Sequence, residues 1–101
     1  MPDSKGRPLG SEIEKGATKW AKEQGWFSFK VAMTNKRGVP DRFYSRNGKA
    51  VFVEFKGAFE VVSEPQKRRI REIVASGLDA WVCRDLADFG LACANSRALS
   101  W

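Results

Sequence analysis

The stretch Asp41-Arg42-Phe43-Tyr44-Ser45-Arg46-Asn47-Gly48-Lys49-Ala50-Val51-Phe52-Val53-Glu54-Phe55-Lys56 decides how this chain folds. Asn47-Gly48 favours a two-residue type I′ turn, because both central positions need positive φ, so the flanking residues pair as a β-hairpin. That turn sets the register: Arg46 faces Lys49, Phe43 faces Phe52, and Asp41 faces Glu54. Directly opposed side chains lie about 4.5–5.5 Å apart at Cβ, and like charges at that distance destabilise a sheet. Lys56, two residues past Glu54 and therefore on its face, supplies one positive charge within about 7 Å. The run Ala50–Phe55 is otherwise apolar, as in an interior strand covered on both faces. Glu54 within it must be paired, metal-bound or neutralised, because an isolated ionised carboxylate is strongly disfavoured there. Two hard oxygen ligands beside a lysine suit Mg²⁺, with Mn²⁺ as a substitute. In such a site the cation activates water and stabilises developing charge, while Lys56 orients or deprotonates the water. The bland alternative is a sheet rim salt-bridged by Lys56 and Arg42.

Working outward, Ser11 opens a segment in which Ile13, Ala17, Trp20 and Ala21 recur at helical spacing, with Gly25 as the stop. Phe27, Phe29, Val31 and Met33 then alternate with Trp26, Ser28, Lys30 and Ala32, the period of a strand. The stretch from Thr34 to Gly38 reads as a basic loop. After a loop through Gly57 and Val61-Val62, Ser63-Glu64-Pro65-Gln66 starts a second helix with Ile70, Ile73 and Val74 inward. Leu78 to Arg84 reads as a strand, and Asp85 caps a last short helix through Leu86, Phe89 and Ala92. The order α-β-β-β-α-β-α predicts an α/β fold, a mixed central sheet flanked by helices. Residues 1–10 read as a flexible lead-in and residues 11–101 as a single domain.

Composition narrows the chemistry. The 101 residues suit one core, and 43% hydrophobic with 30% charged residues is ordinary globular usage. No apolar run approaches a membrane span and the N-terminus lacks a signal-peptide core, so a soluble, cytoplasmic protein without membrane partners is expected. Cys83 and Cys93 lack metal-ligand spacing and are expected to be free thiols. With no histidine in the chain, imidazole-based triads are excluded, leaving lysine, carboxylate or metal-activated water as the base. A formal charge of +6 and a pI near 9.7 favour an anionic partner such as nucleic acid.

The string Gly38-Val39-Pro40-Asp41-Arg42, then Val53-Glu54-Phe55-Lys56-Gly57, then Ser63 and Gln66, resembles the VRR-NUC domain. That domain is a branch of the PD-(D/E)xK, restriction-endonuclease-like superfamily, and the likeness spans most of the chain. The resemblance implies that Asp41, Glu54 and the Phe55 backbone carbonyl hold the metal and that Lys56 is the catalytic lysine. Glu14 matches an acidic residue on the first helix that contributes to the metal site, and Gln66 a glutamine beside the catalytic centre. By spacing alone both fit capping boxes, Ser11-x-x-Glu14 and Ser63-x-x-Gln66. The loop Ala58-Phe59-Glu60-Val61-Val62 departs from the resemblance in being apolar.

The expected function is a Mg²⁺-dependent, structure-specific DNA endonuclease hydrolysing phosphodiester bonds. The resemblance implies a small stand-alone type from bacteria or phage-infected cells, working as a homodimer of the Holliday-junction resolvase kind on branched or duplex DNA. Lys36 and Arg37, Arg42, and Lys67, Arg68, Arg69 and Arg71 are expected to meet the DNA backbone. Most aromatic residues read as core, with Trp26, Phe59 and Trp101 as candidates for a partner surface. The alternatives are a non-catalytic basic nucleic-acid-binding module on the same fold, and an assembly protein whose rim charges are ordinary ion pairs.

Overall fold

A computed structural model describes residues 6–32 and 35–94. Its elements are α1 (Gly10–Glu23), β1 (Phe27–Lys30), β2 (Arg42–Arg46), β3 (Lys49–Phe55), α2 (Glu64–Ala75), β4 (Asp79–Cys83) and α3 (Leu86–Ala94). The four strands form one sheet in the order β1-β2-β3-β4. The first two pairings are antiparallel and β3 pairs with β4 in parallel, with α2 as the crossover that a parallel pair requires. The expected mixed sheet and element order are what the chain adopts.

The central hairpin has the register its turn dictates. Asn47 and Gly48 have φ of 51° and 82°, Phe43 pairs with Phe52, and Arg46 pairs with Lys49. On one face of the sheet, Tyr44, Val51, Val53 and Phe55 pack with Ile13, Ala17 and Ala21 of α1 and with Phe89 and Ala92 of α3. On the other, Ile70 of α2 closes over Ala80 and Val82, with Phe52, Ile73 and Val74 partly buried beside them. This double cover explains the apolar run in β3. Cys83 is buried, Cys93 is half-buried, and both are free thiols. No helix among the described residues is long and apolar enough to cross a membrane.

Four sequence expectations are corrected. Helix α1 begins at Gly10, inside the stretch assigned to the lead-in, and Ser11 lies within it rather than capping it. Its N-cap residue Leu9 makes no side-chain cap; Glu60, fifty positions away in sequence, accepts the Gly10 N–H at 2.6 Å. Strand β1 stops at Lys30, and its apolar face is the outward one: Phe27 and Phe29 are 65% and 47% exposed. Trp26, set aside for a partner surface, is a core residue under α1. The alternation had the right period, but α1 and α3 cover the other side. Met33, Thr34 and Trp101, and residues 1–5 of the lead-in, lie outside the described residues.

Candidate active site

Pairing of β2 with β3 ends at Arg42 opposite Val53. The next hydrogen-bonded position would set Phe55 against Pro40, which has no N–H to return a bond to the Phe55 carbonyl. The ladder breaks there, and the Asp41 side chain takes over: its Oδ2 accepts the Phe55 N–H at 2.8 Å. Asp41 is thereby fixed across the end of β3, with Glu54 and Lys56 beside it. In a strand, a residue's N–H and C=O point to the same neighbour, so the Phe55 carbonyl opens toward Asp41. Gly10 lies against that carbonyl, where any side chain would overlap the oxygen and fill the space.

Glu54 is only 3% exposed, and its Oε1 has no hydrogen-bond partner. Its Oε2 accepts from Gln66 Nε2 at 3.1 Å and stands 3.6 Å from Lys56 Nζ. Gln66 serves two purposes at once. Ser63 Oγ accepts the Gln66 N–H, and Gln66 Oε1 accepts the Ser63 N–H at 2.9 Å, completing the capping box of α2. With Oε1 engaged, the amide nitrogen is turned to Glu54, so the capping contact and the contact with Glu54 are made in one conformation.

The electrostatics follow from burial. Desolvation first and the Asp41 charge second raise Glu54 to about 8, with Lys56 only partly opposing them. Burial also raises Asp41, against the stabilising Phe55 N–H. Two carboxyls are thus crowded into a dry corner with too little positive charge. A buried oxygen without a partner, a carbonyl whose strand partner is proline and a cradle kept open by glycine are a donor set that fits a hard divalent cation.

Glu14 is not brought into this group. It accepts from Arg42 Nε at 2.8 Å and from Lys30 Nζ at 3.0 Å on the α1 face of the sheet, reaching Asp41 only through its field. Among the described residues no three acidic, cysteine or histidine side chains cluster as a metal site. The oxygen atoms gathered at this corner are therefore those of two carboxyl groups and a backbone carbonyl.

The expected basic patch divides. Lys36, Arg37, Arg68, Arg69 and Arg71 line one groove of about 530 Å³ between the loop before Pro40 and the start of α2. Gly38 makes that approach possible: at φ 74° its α-carbon sits so close to the Pro65 backbone that a side chain would collide. Arg69 Nε donates to the Arg37 carbonyl at 2.8 Å and ties the walls together. Arg42 faces the other way, in its ion pair with Glu14, and Lys67 lines a separate groove with Phe59 and Arg84.

Sequence reasoning missed the structural roles of Gly10, Gly38, Glu60 and Arg84. Glu60 accepts the Gly10 and Gly57 N–H groups, each at 2.6 Å, and is held below its ordinary pKa mainly by the first of these bonds. Arg84 Nη1 donates to the Gly57 and Glu60 carbonyls at 2.7 and 2.9 Å. Together they fasten the chain just past Lys56 to the start of α1.

A four-stranded mixed sheet between helices, with acidic residues and a lysine where the central hairpin meets α2, defines the class. Within it, the solved structures place the chain in the VRR_NUC fold. One, titled "VRR_NUC domain", superposes with a TM-score of 0.74 at 18% identity, covering 85% of this chain and 95% of its own. Another, titled "VRR_NUC domain protein", gives 0.67 at 20% identity over 81% and 82%. The sequence matches no protein-family model and no curated protein. At these identities the likeness establishes the fold, in agreement with the motif resemblance.

Proposed function

We propose that this chain is a divalent-metal-dependent nuclease that hydrolyses the DNA backbone at the Asp41–Glu54–Lys56 corner. The observation that carries the reading is the buried, unpartnered Oε1 of Glu54 beside Asp41 and Lys56. Asp41, Glu54 and the Phe55 carbonyl would hold Mg²⁺ or Mn²⁺, which supplies Lewis-acid stabilisation of the phosphate's developing charge. Gln66 keeps Glu54 aimed at the cation, and Glu14 restrains Arg42 and Lys30. Lys56 Nζ, cationic beside Glu54, donates a hydrogen bond that orients a water molecule, whose proton passes to surrounding water as its oxygen attacks phosphorus. The P–O bond on the far side then breaks and the departing oxygen takes a proton from water, leaving a phosphate on one end and a hydroxyl on the other. The groove of Lys36, Arg37, Arg68 and Arg71 supports DNA as the substrate, since such side chains hold a phosphate backbone without reading sequence.

The exposed rings of Phe27 and Phe29 support a homodimer. Phe29 stacks onto Phe43 and Phe43 onto Phe52, at centroid distances of 5.0 and 5.1 Å, forming a phenylalanine stripe that reaches the edge strand. An open apolar edge suits a second copy, and a two-fold pair of sites suits symmetric cuts in a four-way junction. Sedimentation should give a dimer that Phe27→Glu converts to a monomer; a monomeric wild type, with or without DNA, would remove this part of the proposal.

The activity is tested on supercoiled plasmid and a synthetic four-way junction with Mg²⁺, Mn²⁺ or EDTA. Cleavage should need the metal and fall at least a hundredfold in Lys56→Ala. Tight, salt-sensitive binding without cleavage under any condition would favour the non-catalytic binding module instead.

A further inference from the structure

The loop Ala58–Val62 carries the most exposed large apolar side chains among the described residues, Phe59 at 70% and Val61 at 80%. The Phe59 position is a built one. A turn closes behind it through Glu60 N–H to the Gly57 carbonyl at 3.2 Å. The Glu60 carboxylate is anchored to Gly10 and Gly57, and Arg84 clamps the Gly57 and Glu60 carbonyls. The Arg7 guanidinium lies over one face of the ring, 3.8 Å from its centroid. Between this loop and α2 runs a groove of about 280 Å³ lined by Phe59, Glu60, Val61, Val62, Lys67 and Arg84, the Glu60 carboxylate being turned to the Gly10 and Gly57 N–H groups. Both walls lead into the candidate active site: the loop follows Lys56 directly, and Lys67 follows Gln66.

A ring presented on a braced turn, with Lys67 and Arg84 beside Val61 and Val62, matches the chemistry of a nucleotide, which offers a flat π-face and an anionic phosphate together. We propose that this groove receives the nucleotide beside the scissile phosphate, with Phe59 stacking on its base and Lys67 meeting its phosphate; the inference rests on the nucleic-acid half of the function proposed above. Inside a continuous duplex both faces of a base are already covered by neighbours. Phe59 therefore engages only a base that is unpaired or unstacked, and the groove selects bulged, frayed, branched or single-stranded sites over continuous duplex.

The test compares wild type, Phe59→Ala and Phe59→Trp in EDTA, by fluorescence anisotropy, on a labelled DNA duplex with one bulged adenine and on the same duplex without it. Phe59→Ala should lose about tenfold in affinity for the bulged probe, in line with the loss of one base-aromatic stack, with the paired probe and the thermal midpoint unchanged. Phe59→Trp should retain the preference. Equal losses on both probes, no loss on either, or a fall in the melting temperature of Phe59→Ala that marks the ring as a packing group would overturn the proposal. Wild-type cleavage in Mg²⁺, measured in parallel, separates the two claims. Selective stacking without cleavage supports the groove and sinks the nuclease; cleavage without selectivity sinks the groove alone.

Discussion

Glu54 shows how a single residue can mark a site. It interrupts an apolar strand, and its environment holds it near 8 against an ordinary value of 4.5. The folded protein therefore keeps a proton that the unfolded chain releases, and wild type loses stability as pH rises from about 4.5 to about 8. Glu54→Gln has no such loss. In EDTA, denaturant unfolding should show the variant gaining on wild type across that window by roughly 5 kcal/mol; parallel curves would contradict the burial argument. Gly10 gives a second test. Gly10→Ala forces a methyl onto the Phe55 carbonyl and should both destabilise the fold and depress cleavage by more than its melting shift accounts for, as measured well below the melting point. The nearness of Asp41 to Glu54 was legible because one turn dipeptide sets the register of the hairpin, although the ladder itself stops at Arg42 and Val53. The use of Asp41 to replace a ladder bond was legible only in part, since it depends on Pro40 falling at a hydrogen-bonded position.

Among the elements, legibility followed the range of the interaction. The capping box of α2 is local, and Ser63 and Gln66 announced it. The start of α1 is not local: its first N–H is satisfied by Glu60, and no spacing pattern in the sequence joins those positions. For β1 the alternation gave the period but not the side that would be covered, because Trp26 on one face and Phe27 and Phe29 on the other offered aromatic residues to both. Removing the long-range cap should matter accordingly. Glu60→Ala strands two N–H groups that each bond a carboxylate, and chemical denaturation should show a loss of about 2–4 kcal/mol. Glu60→Gln, which keeps one acceptor oxygen, should recover part of it. A loss below about 0.5 kcal/mol would mean that the junction of α1 with the end of β3 is held by packing alone.

On the scale of the whole molecule, the surplus of positive charge is partly gathered rather than spread. Arg68 and Lys36, from different elements, share the groove that Gly38 allows to close, while Arg42 is tied up on the opposite face. Composition gave the sign of the surplus charge; which basic residues share a groove emerged only once α2 was set beside the loop before Pro40. If that groove carries the DNA backbone, changing Lys36 and Arg68 together to alanine should lower the slope of log affinity against log salt by about 2, with little change in the cleavage rate of bound substrate. An unchanged slope would place the backbone elsewhere.

The account depends most on the corner formed by Asp41, Glu54 and the Phe55 carbonyl being built for a cation. Thermal unfolding at pH 8, with Mn²⁺ titrated into metal-free protein, tests this directly. Wild type should gain several degrees in melting temperature in a saturable fashion, as a ligand bound only by the folded state requires, and Glu54→Gln should gain none. An equal rise in both proteins, or no rise in wild type at millimolar Mn²⁺, would show that the buried carboxylates hold no metal and would contradict the proposed chemistry.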